Sequence, residues 1–281
     1  MANEIEILEK ALHTVASLDF NDVLSYERAM LEYSKIQYLP IFQYVYPAKS
    51  PVFRTRRNTK DGYFNSISEI TYPKPEYIKK FGRLNKPEQS VFYCSENRPT
   101  SYMELVEGWA EEIGFGETLT ITITEWILKR DLVLVMVVNP NPHERQNKYD
   151  QYHGSGFDNV MSRLNDVQKE VAYRFFEFLS SEFYNPGKKN KATYIKTSAF
   201  SNLVMIDCKC DGLIYPSVPF MGEGFNIVIK PEIIDKGEIV LNSAMRSQFR
   251  AEKMENGKHN FIEIDQQHTK NIDLASGKIE W

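Results

Sequence analysis

Residues 118–138, "TLTITITEWILKRDLVLVMVV", contain two kinds of strand. In "TLTITITEW" threonine alternates with leucine or isoleucine, the period-two pattern of a strand with one face in the core. After a short polar break, "DLVLVMVV" is apolar throughout, which predicts a strand covered on both faces. Together they predict a mixed β-sheet.

Working outward, helices alternate with strands on either side. Ile5, Leu8, Leu12, Val15 and Leu18 recur at helical spacing, predicting a helix over 3–18 and, with Asp22 and Ser25 as start signals, a second over 21–38. Three prolines in "YLPIFQYVYPAKSP" then break the pattern, so residues 1–48 are expected as an N-terminal helical extension and 49–281 as the main domain. Within it, "VFRTR" and "SVFYCS" predict short strands and "TSYMELVEGWAEEI" a helix of about four turns. One long helix is expected over 158–183 and another over 192–206. "CDGLIYPSV" and "FNIVIKP" are expected as brief strands around a loop holding Gly222 and Gly224, and the tail from 236 as hairpins. The fold class is therefore α+β.

Composition narrows the function. A formal charge of -4 gives no global attraction to nucleic acid. The acidic N-terminal decapeptide lacks a signal-peptide pattern, and no apolar run approaches the roughly 20 residues of a membrane helix, so a soluble cytoplasmic protein is expected. Cys94, Cys208 and Cys210 cannot build a disulfide framework. His13, His143, His153, His259 and His268 show no metal-ligand spacing, and no metal site is expected. Hydrolase-elbow, phosphate-loop and dinucleotide fingerprints are also missing.

Four residues carry candidate chemistry, each with an ordinary alternative. Arg83 follows Gly82 in "GRLN": a loop guanidinium suits bidentate contact with phosphate, or it is a surface arginine in a turn. Tyr93 ends an apolar strand, where its ring could stack on a ligand or simply join the core. Ser101-x-x-Glu104 fits a helix capping box, with Glu104, Glu107 and Glu111 along one solvated face. Ser217 lies between Pro216 and Pro219, which restrict the backbone around a hydroxyl that is otherwise a turn serine.

Taken in order, these stretches resemble the RES-domain family, whose members include NAD-degrading toxins of bacterial toxin–antitoxin pairs. The resemblance is carried by "FRTR" at 53–56, "GRLN" at 82–85, "VFYCS" at 91–95, "SYMELVE" at 101–107, and "GLIYPSV" at 212–218 with "GFNIVIKP" at 224–231. It implies an ADP-ribosyltransferase-like split mixed sheet around an NAD cleft. It also implies cleavage of NAD+ to nicotinamide and ADP-ribose, with Arg83, Tyr93, Glu104 and Ser217 as catalytic residues. Arg54, Arg56, Asn85 and Asn226 become NAD contacts. NAD+ would be substrate rather than cofactor, with an antitoxin protein as partner and a homo-oligomeric assembly. ADP-ribosyl transfer to protein or phosphate, and a catalytically silent binding module, are the alternatives. The chain departs from the family in its N-terminal helices, its long helical stretch between glutamate and serine, and its strand-rich tail.

Overall fold

A computed structural model describes residues 2–37, 39–59, 62–185, 191–255, 257 and 259–281. Its helices are α1 (Ala2–Ala16), α2 (Ser25–Ser34), α3 (Ile67–Ile70), α4 (Arg98–Glu112), α5 (Lys148–Met161), α6 (Asp166–Tyr184), α7 (Lys191–Asp207) and α8 (Pro231–Asp235). The strands are β1 (Gln43–Tyr46), β2 (Pro51–Arg57), β3 (Phe92–Ser95), β4 (Thr118–Leu128), β5 (Leu132–Met136), β6 (Gly212–Pro216), β7 (Phe225–Ile229), β8 (Ile239–Lys253), β9 (His259–His268), β10 (Asn271–Asp273) and β11 (Lys278–Glu280).

The first nine strands form one mixed sheet in the order β1-β5-β6-β7-β3-β2-β4-β8-β9, and β10 and β11 pair separately. Only β5 and β6 run parallel; the other neighbours are antiparallel. The expected α+β class, with an N-terminal helix pair, is what the chain adopts. The tail forms two hairpins, β8–β9 and β10–β11, as its turns predict.

The sheet is held weakly at one place. β2 and β3 share a single pairing, Phe53 with Ser95, whereas β2 pairs with β4 along its whole length. Beyond that pairing the two strands part. The parting separates a left half packed in the large core from a right half that carries a second, smaller core under α4, made of Trp109, Ile113, Leu119, Ile121, Ile123, Met245 and Ala251.

Two expectations need correction. The threonine face of β4 is not solvated: Thr120, Thr122 and Thr124 are buried. Thr122 Oγ1 donates to Asn58 Oδ1 at 2.9 Å, and Thr124 Oγ1 donates to the Arg54 carbonyl at 3.0 Å while accepting from Trp126 Nε1 at 2.8 Å. Segment 62–72 and the C-terminal Trp281 cover that face, and hydroxyls that find partners can be buried there. The helix expected over 158–183 is instead two. Asn165 accepts from the Gln168 amide while the Gln168 side chain accepts from the Asn165 amide, a capping box that starts α6 afresh. Val160, Leu164 and Val167 keep helical spacing straight through this break, so periodicity alone could not reveal it.

The N-terminal helices are fastened to the main body. α1 packs on α6 and α2 on α7, and Leu8, Ala11, Val15, Ala29 and Tyr33 belong to the same core cluster as the strands β5, β6 and β7. No described helix is long and apolar enough to cross a membrane.

Candidate active site

Where the sheet parts, a cavity of about 360 Å³ opens beneath α4. β2 contributes Phe53, Arg54 and Thr55, β3 contributes Tyr93 and Ser95, α4 contributes Ser101, Glu104 and Leu105, and the β6–β7 region contributes Tyr215 and Asn226. A volume of this order falls within the range of small-ligand sites.

The carboxylate is built in from three directions. Asn97 caps α4 by accepting from the Thr100 amide, with Pro99 in the first turn, and this sends the second helical turn over the cavity. Glu104 therefore lies inside the helix, and Ser101 is not its N-cap; the Ser101 hydroxyl instead meets Thr55 Oγ1 at 2.8 Å, clamping α4 to β2. Glu104 Oε1 accepts from Ser217 Oγ at 2.6 Å and from Asn226 Nδ2 at 2.6 Å. Asn226 is oriented in turn by Ser95 Oγ, which donates to its Oδ1 at 2.8 Å. Glu104 Oε2 accepts from no described residue. The carboxylate is thus fixed through one oxygen and open through the other; it is not a solvated helix-face glutamate. The side chains of Glu107 and Glu111 lie outside the described part.

Ser217 is fully buried, and its backbone is pinned by bonds to Gly224 and Gly222. Gly224 is needed there, because an added Cβ would sit 2.1 Å from Thr100 Oγ1.

Arg54 enters the cavity through the parting of the sheet. Thr55 faces α4, so alternation puts Arg54 and Arg56 on the opposite face. From there Arg54 reaches back between the strands: Nη1 donates to the Tyr93 carbonyl at 2.7 Å and Nε to the Ile70 carbonyl at 3.3 Å. Its acceptors are neutral carbonyls, and among the described residues no carboxylate pairs with it. Burial, with some repulsion from Arg56, pushes its pKa down to about 10, so an anionic ligand would gain from an already desolvated cation. The structure does not bring Arg56 to the cavity. Its guanidinium meets the Glu69 carbonyl and lies over the Phe64 ring, on the side of the sheet covered by segment 62–72.

Arg83 and Tyr93 line the cavity, yet most of their polar capacity is used within the protein. Arg83 donates to the carbonyls of Glu182, Phe183 and Asn185 at 3.4, 2.9 and 3.2 Å, closing the C-terminal end of α6, and its guanidinium lies 5.4 Å from the Tyr194 ring centre. The Tyr93 hydroxyl donates to Asn85 Oδ1 and accepts from the Leu84 amide, both at 2.9 Å, and burial raises its pKa. Asn85 is buried behind Tyr93 and does not line the cavity. Gly82 also lines the cavity, but what comes close to its Cα is protein. A Cβ there would lie 2.4 Å from Asn85 Oδ1 and 3.1 Å from the Tyr93 hydroxyl.

Tyr215, Tyr194 and Ser95 were not among the expected site residues. Ser95 and Tyr215 were legible in principle: both lie two positions from a chosen residue on the same strand or its extension, hence on the same face. Nothing local marks Tyr194, which arrives on α7. Cys94 points away from Tyr93 and Ser95 into the core, and burial raises its thiol pKa, which disfavours a thiolate nucleophile. Among the described residues no group of three His, Cys, Asp or Glu is placed to hold a metal ion.

Compared with known families and with curated proteins, the sequence matches none.

Proposed function

We propose that this chain is an NAD+ glycohydrolase of RES type, converting NAD+ and water to nicotinamide, ADP-ribose and a proton. The observation that carries the reading is Glu104: one oxygen is tethered by Ser217 and Asn226, while the other accepts from none of the described residues and belongs to a side chain lining the cavity. In the reaction the ribose–nicotinamide bond breaks with both electrons leaving on the neutral base, and positive charge develops on the sugar. A carboxylate held in place before that charge appears stabilises it without reorganisation. Arg54 would meet the diphosphate, its charge already desolvated and unbalanced. Asn226 and Ser95 keep Glu104 aimed.

Depletion of NAD+ is harmful to a cell, so the proposal includes a cytoplasmic toxin restrained by an antitoxin partner. Incubation of the purified protein with NAD+ and mass analysis of the products tests the reaction. Free nicotinamide with ADP-ribose is expected. ADP-ribosylated protein or ADP-ribose 1"-phosphate would instead establish transfer, and bound but intact NAD+ would establish a binding module.

A further inference from the structure

Tyr93 and Tyr215 face the cavity from β3 and β6, the strands on either side of β7; the Tyr93 phenol is committed to protein partners, whereas that of Tyr215 is not. β3, β7 and β6 lie side by side with Ser95, Asn226 and Tyr215 in register, so their side chains form one row on the cavity face. Asn226, in the middle of this row, is bonded to both Ser95 and Glu104. Tyr215 stands next to it, its ring 5.3 Å from that of Phe183, and its hydroxyl bonds to no described residue. The residue is only 5% exposed, yet its hydroxyl is not an enclosed atom: the little surface it keeps opens on the cavity, where a ligand could meet it. Burial first and the Glu104 carboxylate second raise its pKa, with Tyr93, Arg83 and Tyr194 also acting on it. The phenol is therefore neutral and has a proton to donate at ordinary pH.

An O–H donor and the free oxygen of Glu104 thus flank the same space, unjoined to each other. A group that both donates and accepts completes such a pair, and a sugar hydroxyl does both. Resting on the glycohydrolase reading, we propose that Tyr215 is a specificity residue: its hydroxyl donates to the 2'-hydroxyl of the nicotinamide ribose, which in turn donates to Glu104 Oε2.

Tyr215→Phe tests this cleanly, since the ring and its contact with Phe183 are kept and no protein hydrogen bond is lost. Cleavage of NAD+ and of its analogue lacking the 2'-hydroxyl on the nicotinamide ribose is measured for both proteins, with thermal melting as a control. With an unchanged Tm, the variant is expected to lose about tenfold in kcat/KM on NAD+, the worth of one hydrogen bond near a charge. It should lose nothing further on the 2'-deoxy analogue. Equal losses on both substrates, or no loss on NAD+, would overturn the assignment while leaving the glycohydrolase reading in place. A wild-type protein that cleaves neither substrate would overturn both.

Discussion

At the scale of single residues, the site is distinguished by what each polar group has left to offer. Glu104 keeps one oxygen free, Arg54 keeps an unbalanced charge, and Arg83 and Tyr93 are largely committed to protein partners. Glu104→Gln keeps the shape and replaces charge by a neutral amide. It is expected to lower kcat for NAD+ cleavage by about 10²–10³, the effect of removing one preorganised electrostatic group. Circular dichroism and melting should show a retained fold; an active Gln variant would remove the carboxylate from the chemistry. Arg83 is predicted to act differently. Arg83→Lys loses a planar fork that spans three carbonyls and is expected to cost about 1–2 kcal/mol of stability, read by denaturant unfolding. Unchanged stability with a raised KM would place this guanidinium on the ligand instead.

At the scale of elements, the loop 82–85 shows how a glycine can serve a ligand site indirectly. Its Asn85 side chain fills the space that a Cβ on Gly82 would occupy and holds the Tyr93 hydroxyl, while Thr197 and Ser201 of α7 donate to the Arg83 and Leu84 carbonyls at 2.6 and 3.2 Å. Gly82→Ala is expected to displace Asn85 and cost about 1–3 kcal/mol, because two buried hydrogen bonds compete with one methyl group. Thermal melting checks it; an unchanged Tm would show that Asn85 can move without loss. Helix α4 was readable from "TSYMELVEGWAEEI", but its cap was not: Asn97 rather than Ser101 begins the helix, which moves Glu104 from the first turn to the second. That shift is what carries the carboxylate over the parted strands.

At the scale of the whole molecule, two titratable groups, one buried and one half-buried, lie across the sheet from the cavity and respond to acid in opposite senses. His153 is enclosed by the rings of Tyr44, Tyr149, Tyr152 and Phe225, and burial pushes its pKa down to about 4. Its folded pKa lies below the unfolded value, so its contribution to stability is present above about pH 6.5 and declines as pH falls towards 4. Glu96 has its pKa raised by burial to about 6, so its contribution is greatest below its unfolded value of 4.5 and is lost as pH rises through 6. Wild-type unfolding free energy is therefore expected to be rather flat between pH 6 and 4.5. His153→Phe, leaving Glu96 alone, should gain stability relative to wild type over that interval. Urea unfolding at pH 7 and pH 5 reads the difference, and parallel losses in both proteins would exclude His153 as a titrating group.

Much of this architecture is local in origin. Apolar periodicity sufficed for the strands around 118–138 and for most helices, since each reports on a few adjacent residues and the face they bury. The order of Arg54, Arg83, Tyr93, Glu104 and Ser217 along the chain was equally legible. What no local pattern contains is the place where β2 leaves β3, because a strand's partner is chosen by long-range pairing and its own alternation is the same whether or not the ladder continues. That parting sends Arg54 through the sheet and leaves Arg56 behind it, although the two are equivalent by alternation. It also lets Glu104 meet Ser217, 113 residues away, so that a helix glutamate becomes a carboxylate fixed through one oxygen only.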